Sequence, residues 1–194
     1  CCAGSRVFIQ KKIYDNVVAD MVSHAKSIKQ GAGLDPETQI GPLVSSKQQQ
    51  RVMNYIEKGL EEGAEVLVGG TNPKDEGYFV APTIFSAVKD EMTIAREEIF
   101  GPVIAAMPFE DLDEIIERAN NTEYGLAAGL WTENLSKAHY VASKLRAGTV
   151  WINCYNAFDA ASPFGGYKQS GIGREMGSYA LNNYTEVKSV WVGM

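Results

Sequence analysis

Val103-Ile104-Ala105-Ala106-Met107-Pro108-Phe109 is a run of seven residues with no charge and no hydroxyl. It is too short for an ordinary helix and too continuously apolar for a strand with one wet face. The run reads as a strand buried on both faces, which is the pattern of a parallel sheet covered by helices. Just upstream, Glu97-Glu98-Ile99-Phe100-Gly101-Pro102 places two acids, an aromatic and a Gly-Pro turn at its entrance. Just downstream, Leu112, Ile115, Ile116 and Ala119 share one face of a helix predicted from Asp111 to Asn120.

The same alternation continues in both directions. Toward the N-terminus, Tyr78 to Val88 is extended but interrupted by Pro82, and Glu65 to Val68 is a short strand closed by Gly69-Gly70. Before that, Val52, Tyr55, Ile56 and Leu60 mark a helix capped by Ser45 or Ser46 and stopped at Gly63. Ile13, Val17, Met21, Ala25 and Ile28 mark another, from about Ile13 to Lys29, and Arg6 to Gln10 reads as a strand. Toward the C-terminus come a strand at Ala127 to Thr132, a helix through Leu135, Ala138, Val141, Ala142 and Leu145, and a strand at Thr149 to Asn153. Strands alternating with helices imply βαβ units: an α/β chain with a mostly parallel twisted sheet and flanking helices. After Asn153 the composition changes. Cys154 to Gly173 is rich in glycine, serine and aromatics, and a long irregular stretch of this kind usually carries function. Gly173 to Tyr184 reads as a last helix. Thr185 to Val192, with Val187, Val190 and Val192, reads as a terminal strand whose edge invites pairing with another segment or subunit.

Composition removes several functions. The chain has 194 residues, 45% of them hydrophobic, and a net charge of −6. That charge argues against nucleic acid or an anionic membrane as partner. No apolar run approaches the roughly 20 residues of a membrane-spanning helix. Three cysteines, two of them adjacent, do not make a disulfide framework and fit a reducing, cytoplasmic setting. His24 and His139 stand singly, so no metal site is expected. No serine occupies a G-x-S-x-G turn. Gly171-Ile172-Gly173 lacks both the third glycine at the dinucleotide-loop spacing and a preceding strand.

Three stretches carry chemistry. In Cys1-Cys2-Ala3-Gly4-Ser5-Arg6 a thiol precedes a small, flexible turn. A thiolate so placed is a nucleophile if the fold supplies a base and an oxyanion site, and taken alone the hexapeptide favours an inert buried cysteine. In the Glu97 to Pro102 stretch, a carboxylate held where a strand begins can accept hydrogen bonds from two neighbouring hydroxyls, as on a ribose. The adjacent aromatic can flank a flat ring. By spacing alone, a solvated helix end before a core phenylalanine is the plainer reading. Tyr155, Phe158, Phe164 and Tyr167 on the glycine-rich loop either line an apolar pocket or pack the loop down. Arg174 and Glu186 bracket the last helix and could form an ion pair that docks the terminal strand.

Together with Tyr124-Gly125-Leu126-Ala127-Ala128-Gly129, Gly148-Thr149-Val150-Trp151-Ile152-Asn153 and Pro163-Phe164-Gly165-Gly166-Tyr167-Lys168-Gln169-Ser170-Gly171, these stretches occur in a fixed order along the whole chain. The ordered set resembles the C-terminal portion of the NAD(P)-dependent aldehyde dehydrogenases. The resemblance implies a Rossmann-like catalytic domain over residues 1–183 and an oligomerisation strand over 184–194. It implies that Cys1, not Cys2, is the nucleophile, forming a thiohemiacetal and then a thioester that water hydrolyses to a carboxylic acid. Glu98 and Phe100 match the cofactor-binding acid and aromatic at the nicotinamide end of NAD or NADP. Tyr155, Phe158 and Phe164 match a substrate funnel, and Glu175 matches an acid on a proton path. The implied partners are a small-molecule aldehyde and, in the full-length enzyme, further copies in a dimer or tetramer. The family's dinucleotide-binding domain, general-base glutamate and oxyanion asparagine lie upstream of the cysteine motif, so these 194 residues alone are expected to be nearly inactive. A non-enzymatic assembly module and a CoA-acylating semialdehyde dehydrogenase relative are the competing readings.

Overall fold

Residues 103–109 form the central strand that their composition predicts. This computed structural model describes residues 2–74 and 76–194. Strand β4 (Val103–Phe109) lies parallel to β1 (Arg6–Gln10) on one side and to β3 (Thr83–Ser86) on the other. Strand β2 (Glu65–Val68) adds antiparallel to β3, giving the order β1-β4-β3-β2.

The pleat of β4 divides its side chains between two helical layers. Val103, Ala105 and Met107 join Phe85, Val52, Ile56 and Ile94 in the larger core. Ala106 joins Ile9 and Val18 in the smaller one, with Val17, Met21 and Val22 packed against it. Helix α1 (Tyr14–Ser27) therefore covers one face, and α2 (Ser46–Glu61) with α3 (Thr93–Arg96) covers the other. Met107 and Ala106 are wholly buried, which is why the run tolerates no polar residue. The predicted Ile13–Lys29 helix is shorter, because Lys11–Ile13 is a 3₁₀ turn. Ser45 caps α2 as expected, its side chain accepting from the Gln48 N–H. Of the extended Tyr78–Val88 stretch, only Thr83–Ser86 pairs as strand.

The chain divides into two compact units, residues 3–118 and residues 119–194 together with Cys2. The boundary falls near the end of α4 (Leu112–Asn120). In the second unit β6 (Ala127–Leu130) and β7 (Thr149–Ile152) pair in parallel, with α5 (Leu135–Lys144) between them in sequence, a βαβ unit. Asn134 caps α5 by accepting from the Lys137 N–H. Strand β8 (Tyr167–Lys168), inside the stretch expected to be irregular, pairs antiparallel with β5 (Tyr124–Gly125).

One expectation is corrected here. No α-helix spans Gly173 to Tyr184; only Ser178–Asn183 turns, as a 3₁₀ helix. Met176 at φ +60° and Gly177 at φ +58° are left-handed, and Glu175 pairs in an extended bridge with Phe164, so helical hydrogen bonding cannot propagate through them. Residues 185–192 form no ladder with the described residues of this chain, which leaves their backbone groups open to a partner strand. The overall architecture remains mixed α/β, mostly parallel and Rossmann-like.

Candidate functional site

Cys1, the expected nucleophile, lies outside the described residues. Cys2 beside it is a half-buried free thiol. Burial raises the pKa of the Tyr155 phenol, and the nearby Cys2 sulfur adds to the rise.

The expected cofactor segment lies in the unit of residues 3–118, on the first turns of α2. Three successive carbonyls of that segment accept from two α2 side chains. Arg51 donates to the Glu98 carbonyl at 2.9 Å. Gln48 Nε2 donates to the Ile99 carbonyl at 3.3 Å and to the Phe100 carbonyl at 3.0 Å. Ile99 anchors the segment in the larger core, and Gly101 then passes so close to α2 that an added Cβ would meet Val52 at 2.5 Å. Between these anchors Phe100 takes φ +56°, a left-handed conformation that costs a residue with a side chain about 1–2 kcal/mol. Hydrogen bonds worth about 1 kcal/mol each can hold it there. The Phe100 ring is 56% exposed, so it is not the core phenylalanine of the plainer reading.

Glu97 and Glu98 part ways. Glu97 is tied to α2, its carboxylate accepting from the Tyr55 hydroxyl at 2.7 Å, and Arg51 donates to that same hydroxyl at 2.9 Å. Glu98 is half-buried, and among the described residues its carboxylate takes no hydrogen bond or ion pair. Both its oxygens are therefore available to the vicinal hydroxyls of a ribose, and the exposed Phe100 ring to a flat heterocycle. A carboxylate acceptor beside an exposed ring fits the nicotinamide end of NAD or NADP.

The three expected substrate-funnel aromatics meet in the unit of residues 119–194, and two tryptophans join them. Trp151 lies at the centre, 5% exposed, 4.8 Å from Tyr155 and 5.5 Å edge-on to Phe158. Phe158 is 5.3 Å edge-on to Phe164, and Trp131 stacks on Tyr155 at 6.1 Å. Edge-on and tilted pairs of this kind contribute about 0.5–1.5 kcal/mol beyond their burial. The Trp151 indole N–H donates to the Ala157 carbonyl, which fixes the loop over the ring. The loop thus packs down and at the same time leaves Phe158 half exposed. Glu175 is exposed, and its backbone exchanges two 2.7 Å hydrogen bonds with Phe164. The anticipated Arg174–Glu186 pair does not form. Arg174 donates to the Gly166 and Gly173 carbonyls and lies over the Tyr167 ring.

Gln48, Arg51, Tyr55, Trp131 and Trp151 are the site residues that sequence reasoning missed. Gln48, Arg51 and Tyr55 share one helix face by i, i+3, i+4 spacing, which is a visible signal. Nothing local ties that face to carbonyls some 50 residues away.

A mostly parallel α/β scaffold with an acid that no described residue pairs, beside a left-handed, exposed aromatic, defines a Rossmann-like protein with a candidate nucleotide-binding edge. The comparisons with known proteins are specific. The Aldehyde dehydrogenase family model matches residues 1–190. A Bacillus subtilis (strain 168) protein provisionally named as the aldehyde dehydrogenase DhaS is 70% identical over 194 residues, covering all of this chain and 39% of that protein. The mitochondrial aldehyde dehydrogenase of Homo sapiens is 53% identical over 192 residues, covering 99% of this chain and 37% of that protein. The NAD+ complex of an aldehyde dehydrogenase from Bacillus cereus superposes with a TM-score of 0.97 at 62% identity, covering 100% of this chain and 40% of that one. This chain belongs to the aldehyde dehydrogenase family. It spans about 40% of the length of the relatives it matches.

Proposed function

We propose that this chain is part of an NAD(P)-dependent aldehyde dehydrogenase that oxidises an aldehyde to a carboxylic acid. The observation that carries this reading is the Glu98–Phe100 segment, held on α2, with an exposed aromatic ring and a carboxylate that has no partner among the described residues. The NAD+ complex of the Bacillus cereus relative supports it.

The Cys1 thiolate attacks the aldehyde carbon, and the carbonyl oxygen takes up the electron pair, giving a thiohemiacetal. Collapse of that oxyanion expels a hydride from the same carbon and leaves a thioester on Cys1. When NAD or NADP is bound, its nicotinamide would supply the hydride acceptor. Water adds to the thioester carbon, loses a proton and expels the thiolate, which restores Cys1 and releases the acid. Glu98 would accept hydrogen bonds from the ribose hydroxyls of a bound cofactor, and Phe100 would flank its ring. Tyr155, Phe158 and Phe164, backed by Trp151, form the apolar path for the aldehyde. Glu175 serves a proton path. The exposed apolar residues Val187, Val190, Trp191 and Val192 form the edge by which copies pair into a dimer or tetramer. The free thiols Cys2 and Cys154 suit a reducing compartment such as the cytoplasm. Among the described residues no helix is long and apolar enough to cross a membrane.

The test is steady-state kinetics of the intact enzyme with Cys1→Ser and Glu98→Gln. Cys1→Ser should abolish aldehyde-dependent cofactor reduction. Glu98→Gln should raise the cofactor KM about 10-fold or more, as loss of a charged hydrogen-bond partner does, and leave the aldehyde KM in place. A Glu98→Gln enzyme with the parental cofactor KM would refute the cofactor role.

A further inference from the structure

The Tyr155 ring is seated on three sides. Gly129 on β6 and Trp151 on β7 are register partners, and Trp131 follows Gly129 by two residues, on the same side of the chain. The ring lies directly on the bare backbone of Gly129, where an added Cβ would meet its Cδ2 at 2.6 Å and its Cε2 at 2.8 Å. Trp131 stacks on the ring at 6.1 Å, and Trp151 lies tilted against it at 4.8 Å. The chain is pinned before and after it. Asn153 accepts from the Thr132 N–H at 2.8 Å and donates to the Thr132 carbonyl at 2.9 Å, and the Trp151 indole donates to the Ala157 carbonyl. What this seat leaves over is the hydroxyl, which takes no hydrogen bond among the described residues. Phe158 and Phe164 have no polar side-chain atom, and the Trp151 N–H is already used. Burial, and after it the Cys2 sulfur, holds the phenol above its ordinary pKa, so at neutral pH it is a donor, close to the residue that follows the proposed nucleophile.

We propose that the Tyr155 hydroxyl is a specificity-determining donor in the aldehyde path, and that it selects aldehydes carrying an oxygen acceptor a few atoms from the carbonyl, the hydroxy- and alkoxy-aldehydes, over alkyl aldehydes of the same shape. Gly129 is its positioning residue, because only a residue without a Cβ lets the ring lie on the strand. The proposal rests on the reading of Tyr155, Phe158 and Phe164 as the path for the aldehyde. An alkyl chain laid along the ring covers the hydroxyl and offers it no acceptor. An oxygen at the same place satisfies it, and sites that hydrogen-bond a substrate group discriminate against the analogue that lacks it. A donor held in one place acts without first being ordered.

The experiment measures kcat/KM of the intact enzyme for two pairs of aldehydes, methoxyacetaldehyde with butanal and 3-methoxypropanal with pentanal. Each pair exchanges one ether oxygen for a methylene. The readout is the ratio within a pair, compared between parent and variant, which cancels changes in active fraction and the intrinsic reactivity of each aldehyde. Tyr155→Phe keeps every ring contact and removes the hydroxyl. It should lower the ratio about fivefold in at least one pair, the size of one hydrogen bond. Gly129→Ala keeps the hydroxyl and drives the ring off the strand, and should lower the same ratio. A merely structural role would change both members of a pair alike. Parental ratios in Tyr155→Phe would overturn the proposal and leave the aldehyde dehydrogenase reading standing. Parental ratios in Tyr155→Phe with a lowered ratio in Trp131→Phe would give the donor role to the Trp131 indole, and would overturn it too. Turnover that survives Cys1→Ser, or no turnover of any of the four aldehydes by the parent, would overturn the underlying reading and this proposal with it.

Discussion

At the scale of single residues, Gly101 shows how tightly the cofactor segment is fitted. An added Cβ there would lie 2.5 and 2.7 Å from the two Cγ atoms of Val52, a side chain with no exposed surface and no room to turn. Gly101→Ala should destabilise the fold by about 1–3 kcal/mol, as overpacking of a filled core does, and urea unfolding would measure it. In sequence, Gly101-Pro102 reads as a turn before a strand. The structure shows that this glycine is also a contact surface. The same contrast holds for Glu97 and Glu98. Two adjacent acids are indistinguishable by composition, and only the Tyr55 hydroxyl decides which carboxylate is tied down and which is left for a ligand. Trp151 is likewise an ordinary apolar strand residue in sequence and the hub of the aromatic cluster in space.

At the scale of elements, α2 organises the first unit. It packs the larger core with Val52 and Ile56, holds residues 98–100 with Gln48 and Arg51, and starts α3 from its own C-terminal end. There the Glu62 carboxylate accepts from the Thr93 N–H at 2.7 Å and from the Thr93 hydroxyl at 2.6 Å. The hydroxyl hydrogen bond is the main cause that lowers the Glu62 pKa, against an opposing burial effect, with the Thr93 N–H and Lys58 assisting. A carboxylate lowered on folding stabilises the protein above its unfolded pKa, and that stability is lost as pH falls through the folded value. Urea midpoints should therefore drop as pH falls below the ordinary carboxylate range. In Glu62→Gln that part of the slope should be missing, and a variant with the parental slope would exclude the α2–α3 link as its source. Helix α2 is legible in sequence because cap and periodicity agree, and α5 because its apolar spacing holds over three turns. The last helix was misread because its apolar spacing hides left-handed residues at Met176 and Gly177. A methionine gives no warning of a positive φ.

At the scale of the whole molecule, the two units differ in how they bury themselves. Residues 3–118 enclose two clusters of buried apolar side chains. In residues 119–194 Trp151 is the one large side chain in the buried class among the described residues, while Trp131, Tyr179, Tyr184, Val187 and Trp191 are exposed. Trp151→Ala should cost about 3–5 kcal/mol, the range for emptying a large aromatic site. By hydrogen exchange the loss of protection should fall on residues 119–194 and spare residues 3–118, whose buried clusters contain none of the aromatic contacts. A uniform loss across the chain would show that the two units unfold as one.

The sequence by itself determined the α/β class, the buried central strand, the cap of α2, the apolar face of α5 and the ordered motifs of the aldehyde dehydrogenase family. Each rests on local spacing or composition, where the chemistry is written within a few residues. Only the tertiary structure decided that Phe100 is exposed and left-handed and that, among the described residues, Glu97 is tied down and Glu98 is not. It alone joined Trp131 and Trp151 to the loop aromatics, and it ended the last helix early. Those outcomes depend on hydrogen bonds and ring contacts between segments far apart in the chain, and no local pattern encodes which distant side chain arrives.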